Sequence, residues 1–191
     1  MKTLKLMLVI LVATLSASAS LAQEKPAKLA KRIAPIVFNG TEYHFRWSQG
    51  GQFEFTPSGQ ENLDAWTDML TIWDYRDVND GESLAQVANR TLGRYRESNG
   101  VIVHTRSVPK TGRKPAEHFV AAVLGNQTLL EFVAARFLLQ EGRGASVIYS
   151  HRIYGTQLGK QMNAWMAENG AAAEDQVMSL DARPILSSIK E

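Results

Sequence analysis

The sequence predicts an α+β domain: an antiparallel sheet of about six to seven strands, covered by two main helices and preceded by a cleaved signal peptide. Three observations carry this. Between 117 and 155, three apolar segments are separated by the short Gly-containing turns GNQ (125–127) and EGRG (141–144), as in an antiparallel meander. YHFRW (43–47) and QFEFT (52–56) alternate aromatic with polar residues around SQGG. Segments 77–100 and 156–170 place apolar residues at helical spacing.

Residues 1–22 read as a secretory signal peptide. Lys2 and Lys5 form a basic start, Met7 to Leu15 an apolar core, and Ser20 and Ala22 a small-residue cleavage site before Gln23. The apolar run falls short of the roughly 20 residues needed to span a bilayer, so no integral span is expected in the mature chain. No cysteine follows it, which excludes a lipid anchor on a processed N-terminal cysteine. Residues 23–40 are polar and basic, with Pro26 and Pro35, and read as a flexible leader in which Ile36 to Phe38 already dock. A single domain is expected over 41–170.

The hairpin 43–56 comes first, its glycine pair permitting the positive φ of a tight turn. LDAWTDMLTIWDYR (63–76) then alternates as a strand, and the face with Met69, Thr71, Trp73 and Tyr75 is the expected core face. On the other face Asp64, Asp68 and Asp74 are expected to meet solvent. Asp64 and Asp68 would lie about 13 Å apart, too far to share a proton. Helix 77–100 has Asp80 or Ser83 as its cap, an apolar stripe of Leu84, Val87, Ala88, Leu92 and Tyr95, and Asn99-Gly100 at its end.

VIVHTRSV (101–108) and EHFVAAVL (117–124) read as strands flanking the basic turn PKTGRKP. TLLEFVAARFLLQ (128–140) fits helix and strand spacing alike; its bracketing turns favour strand. ASVIYSHRIYG (145–155) is a strand by its β-branched and aromatic content. In the last helix Leu158, Met162, Trp165 and Met166 form the stripe, with Asn169-Gly170 as its end. Residues 171–191 show little pattern and read as a loosely ordered tail.

Composition excludes several functions. There is no cysteine, hence no disulfide, thiolate metal site or Cys nucleophile, and an exported chain without disulfides suits a bacterial periplasm. The chain carries 21 Lys+Arg and 19 Asp+Glu, and removing Lys2 and Lys5 with the signal balances the two, so nothing marks a nucleic-acid partner. His44, His104, His118 and His151 are isolated on separate strands with no HxH or HExxH spacing, so no metal is expected. Neither GxSxG nor a phosphate loop occurs, and no cofactor is expected.

In order and length the segments resemble the PsbP/DcrB-type α/β/α sandwich of exported small proteins. The resemblance covers roughly residues 42–170 and is carried by SLAQVANRTLGRYRESNG, the strands between 101 and 154, and the closing helix 157–169. It is a resemblance of topology and brings no site residue. Because that class includes non-catalytic partners of larger envelope assemblies, it implies binding to a protein of the cell envelope. Candidate binding residues follow from the residues alone. Arg136, His151, Arg152 and Tyr154 are polar positions in strand-like runs that suit an acidic group. Trp66 and Leu70, with Ile72, are an expected exposed apolar patch. The expectation is an exported periplasmic protein that binds another envelope or secreted protein in an accessory or immunity-type role. Its rival is a small hydrolase, or a carrier of a small acidic ligand, built on His151 with Arg136 or Arg152.

Overall fold

The computed structural model describes residues 33–112 and 114–188; the expected signal peptide and the start of the leader lie outside them. One antiparallel sheet of eight strands runs β1-β2-β3-β4-β8-β7-β6-β5. It consists of two meanders joined at a seam. The first contains β1 (Ile36–Phe38), β2 (Thr41–Gln49), β3 (Gln52–Pro57) and β4 (Asp68–Tyr75). Helix α1 (Gly81–Glu97) then carries the chain to the far edge. There β5 (Val101–Val108), β6 (Glu117–Gly125), β7 (Leu129–Gln140) and β8 (Arg143–Tyr154) return it to the centre, where β8 pairs β4.

The strands are one or two more than expected. β1 is the docked part of the leader, paired Val37 to Glu42. The β2–β3 hairpin forms where predicted, with Gly50 and Gly51 at φ 59° and 89°. At Gly51 a Cβ would come 2.7 Å from the Asp74 carbonyl oxygen, so the neighbouring strand excludes any side chain there.

The ambiguous segment is a strand. β7 sends Phe132, Ala134 and Leu138 into one core and Val133, Ala135 and Phe137 into another, on opposite faces. A strand covered on both sides needs no polar alternation, which is why its sequence had no clear period. The first core lies under the C-terminal helices, the second under α1, so the layers run helix, sheet, helix. Helix α1 is capped as expected: the Asp80 carboxylate accepts from the Ser83 amide at 2.8 Å, and the Ser83 hydroxyl reaches back to Asp80.

Two expectations are corrected. In β4 the face of Met69 and Thr71 is buried as expected, with Trp73 and Tyr75 packed on the second core. The face of Leu70 and Ile72 is core as well, sealed beneath the C-terminal helices rather than turned to solvent. The strand also starts at Asp68, later than predicted. The tail expected to be loose is helical as far as 188. Helix α2 (Leu158–Trp165) passes through a π-helical turn (Met166–Gly170) into α3 (Ala171–Ser179), and α4 (Arg183–Ser188) follows, so Asn169-Gly170 does not end the helix. Ala173, Val177, Ala182, Ile185 and Leu186 complete the first core, which is what holds these turns in place. Among the described residues no helix is long and apolar enough to cross a membrane.

Candidate functional site

The six sequence-predicted site residues do not form one constellation. Leu70 is fully buried and Trp66 is 4% exposed, so the expected apolar patch with Ile72 is core, not surface. Arg136 lies on the face of β7 beneath α3. Its guanidinium pairs with both oxygens of Glu117 at 2.9 and 2.8 Å and donates to the carbonyl oxygens of Leu180 at 3.0 Å and Val177 at 3.5 Å. A helix leaves its last carbonyls unpaired, and Arg136 is the donor for these two. It is a structural clamp, well separated from His151: its partner on β8 is Val147, about 13 Å along the strand.

Arg152 and Tyr154 point to the opposite face of β8. Arg152 donates to Glu131 at 2.8 Å and lies over the Trp66 ring at 3.8 Å, and the Tyr154 hydroxyl donates to the Trp66 carbonyl at 2.7 Å. Together they pin the loop entering β4 against the sheet. All three side chains are committed to one another. Nearby Glu54 is raised above the ordinary carboxylate range by burial, which Arg152 and Gln52 only partly offset.

His151 lines a pocket. On its face of β8, Tyr149, Asp68 of β4, Tyr43 of β2 and Trp165 and Asn169 of the helical layer surround a pocket of about 370 Å³. Asp68 is its organiser. Its Oδ1 accepts from the Tyr149 hydroxyl at 2.7 Å and from His151 Nδ1 at 2.9 Å, while Oδ2 accepts from the Thr67 hydroxyl at 3.1 Å and the Gln60 amide at 3.4 Å. Burial opposes ionisation of Asp68, but the bonds from His151 and Tyr149 outweigh it and hold the carboxyl below its usual range. Burial and the adjacent carboxylate push the Tyr149 and Tyr43 hydroxyls upward, so both keep their protons.

An ionised Asp68 can only accept, so His151 donates from Nδ1 and its Nε2 carries the lone pair whenever the ring is neutral. The ring is fixed by stacking on Trp165, centroids 4.1 Å apart and planes 5° from parallel. Trp165 opens the π-helical turn, and Asn169 within it donates back to the Trp165 carbonyl at 3.1 Å. No described side chain bonds His151 Nε2. The arrangement is therefore an oriented imidazole with its orienting carboxylate but without an attached hydroxyl nucleophile.

The sequence expectation placed Asp68 in solvent, gave Tyr43 no part in a site and took Asn169 only as a helix end. A signal existed for Asp68. It lies two residues before Leu70, on the same strand face, so once Leu70 is core Asp68 must face inward too.

A second feature stands at the sheet edge. β5 is the one strand among the described residues with no buried position: Val101 is 66% exposed, Val103 46% and Val108 37%. A bulge between Ile102 and His104 interrupts its pairing with β6, and its outer edge is paired to no described strand.

No family model matches the chain, and no curated protein does. Among solved structures it is similar to the Ran-binding protein Mog1p of Saccharomyces cerevisiae, with TM-score 0.39, 14% identity, and coverage of 75% of this chain and 88% of that one. It is also similar to human STARD10 (0.29, 7%, covering 76% and 73%) and to the lipid transfer and protein localization domain of human StarD13 (0.28, 10%, covering 72% and 90%). At these scores none of the likenesses carries over a site residue.

Proposed function

We propose that this chain is an exported, non-catalytic binding domain whose partner is a protein of the cell envelope or a secreted protein, in an accessory or immunity-type role. The observation that carries the reading is β5. An eight-residue strand with no buried side chain is held by its main-chain bonds to β6 and by partly exposed contacts of Ile102, His104 and Arg106, while its valines stay open, and fully burying one valine contributes about 1.5–3 kcal/mol. An extended partner segment pairing with the outer edge would satisfy the open backbone groups and cover Val101, Val103 and Val108. Residues 101–116 carry Arg106, Lys110, Arg113 and Lys114 and no acid, so the partner segment is expected to be acidic with alternating apolar residues. The signal peptide, the periplasmic location and the PsbP/DcrB-type resemblance belong to the same proposal. Two helical layers around one antiparallel sheet support the resemblance.

The rival built on His151 with Arg136 or Arg152 has lost both arginines, one to a helix end and the other to the opposite face.

The test is crosslinking of the tagged protein in cells, comparing wild type with Val103→Lys. Val37→Lys, at the opposite edge and 61% exposed, is the control. A partner captured by wild type and Val37→Lys but lost with Val103→Lys supports the reading. Equal capture by all three removes β5 as the surface.

A further inference from the structure

The pocket beside His151 has more polar capacity than the fold uses. Asp68 also lines the space, but each of its two oxygens already accepts from two donors. Two groups of lining residues make no hydrogen bond to a described residue, His151 Nε2 and the Tyr43 hydroxyl, and the solvent-exposed Asn39 and Thr41 border the same space. The Asn169 amide donates to Trp165, leaving its carbonyl oxygen. Among the described residues neither Lys nor Arg lines the pocket, and both oxygens of the one lining carboxylate are taken by donors. The walls are the aromatic rings of Phe38, Tyr43, Tyr149 and Trp165. A π-helical turn, a form concentrated at functional sites, supplies the Trp165 and Asn169 side of this space.

We propose that this pocket binds a small, uncharged, hydroxylated molecule of monosaccharide size, one hydroxyl donating to His151 Nε2 and another pairing with the Tyr43 hydroxyl. An anion would meet no lysine or arginine among the described lining residues and would approach the Asp68 charge, so a neutral ligand is proposed in place of the acidic one expected from the sequence. Size agrees: about 370 Å³ lies in the range of small-molecule sites and has room for a sugar ring with its substituents. Mixed donors and acceptors between aromatic walls suit a ligand with hydroxyls at its rim and apolar C–H faces. The inference stands apart from the β5 surface and does not require it.

The experiment titrates the exported chain, ¹⁵N-labelled, with D-glucose, D-galactose, N-acetyl-D-glucosamine and glycerol, and with acetate and inorganic phosphate as charged probes. Concentrations reach about 50 mM, well above a Kd of about 1 mM. Saturation by at least one neutral probe is expected, moving the His151 imidazole and Trp165 indole resonances. Tyr43→Phe removes only a hydroxyl without a protein partner, so its melting temperature should match wild type while its Kd rises about tenfold. Val103→Lys should bind as wild type does, so failure of either proposal can be told from failure of the other. Saturation by acetate or phosphate alone, no saturation by any probe, or an unchanged Kd in Tyr43→Phe would each overturn the assignment.

Discussion

His151 and Arg152 are adjacent in sequence and sit on opposite faces of β8, and the two faces use polarity differently. On the α1 side Arg152, Glu131 and Tyr154 spend their hydrogen bonds on one another and on the loop carrying Trp66. On the side of the C-terminal helices, Asp68 and Tyr149 spend theirs on orienting His151, which keeps one nitrogen uncommitted. Arg136, also on that side, is consumed by a helix end. Charge within an apolar run therefore marked where polar groups are buried, without marking which remain available. Availability depends on the bonds each group already makes.

The largest expected effect tests how the pocket-bearing face is held. Arg136→Ala leaves the Glu117 carboxylate without its partner and strips the donor from the Leu180 carbonyl, and it should cost about 3–5 kcal/mol in urea unfolding. Amide exchange should rise first in α3 and α4. A loss below about 1 kcal/mol would mean apolar packing alone secures that layer.

The next effect tests Asp68. Its folded pKa lies below the unfolded value, so its contribution is complete above the usual carboxylate range near pH 4 and disappears as pH falls through the depressed value. Asp68→Asn should flatten that acid limb and cost about 1–2 kcal/mol at neutral pH, as charge-assisted bonds become ordinary ones. An unchanged acid limb would place the titration elsewhere.

The smallest effect has the opposite sign and belongs to the other face. Glu54 has a raised folded pKa, so any stability it gives is present below the unfolded value and is lost as pH rises through the folded one. Glu54→Gln should therefore stabilise the protein at neutral pH by up to about 1 kcal/mol and leave it unchanged near pH 3. Destabilisation at neutral pH would show that Arg152 depends on Glu54 as well as on Glu131.

Local chemistry made much of the fold legible. The glycine pair at 50–51, the Asp80 cap and the turns around β7 each determine backbone conformation within a few residues, and each appears where its residues indicate. What failed depended on distant neighbours. Trp66 and Leu70 looked exposable because the Arg152 side chain and the C-terminal helices that cover them come from over 80 residues away. The helices were missed because Ala173 and Val177, four apart, are small and sit among polar residues, so the apolar stripe is faint. The site was legible in part. His151 could be chosen, whereas its partner Asp68 required knowing that the Leu70 face of β4 is inward as well.

The seam between the two meanders bears on how the molecule assembles. Each meander joins strands that follow one another closely, so its pairings close short loops and can form early. β4 and β8 meet only after α1 and the entire second meander lie between them, and the bond from His151 to Asp68 spans 83 residues. Loop-closure entropy places that zippering late on the folding route. The imidazole thus acquires its orientation only when both halves have docked, and neither half alone has the pocket. A nascent or partly unfolded chain would be inactive in ligand recognition by construction, because its recognition chemistry is assembled from the last contacts to form.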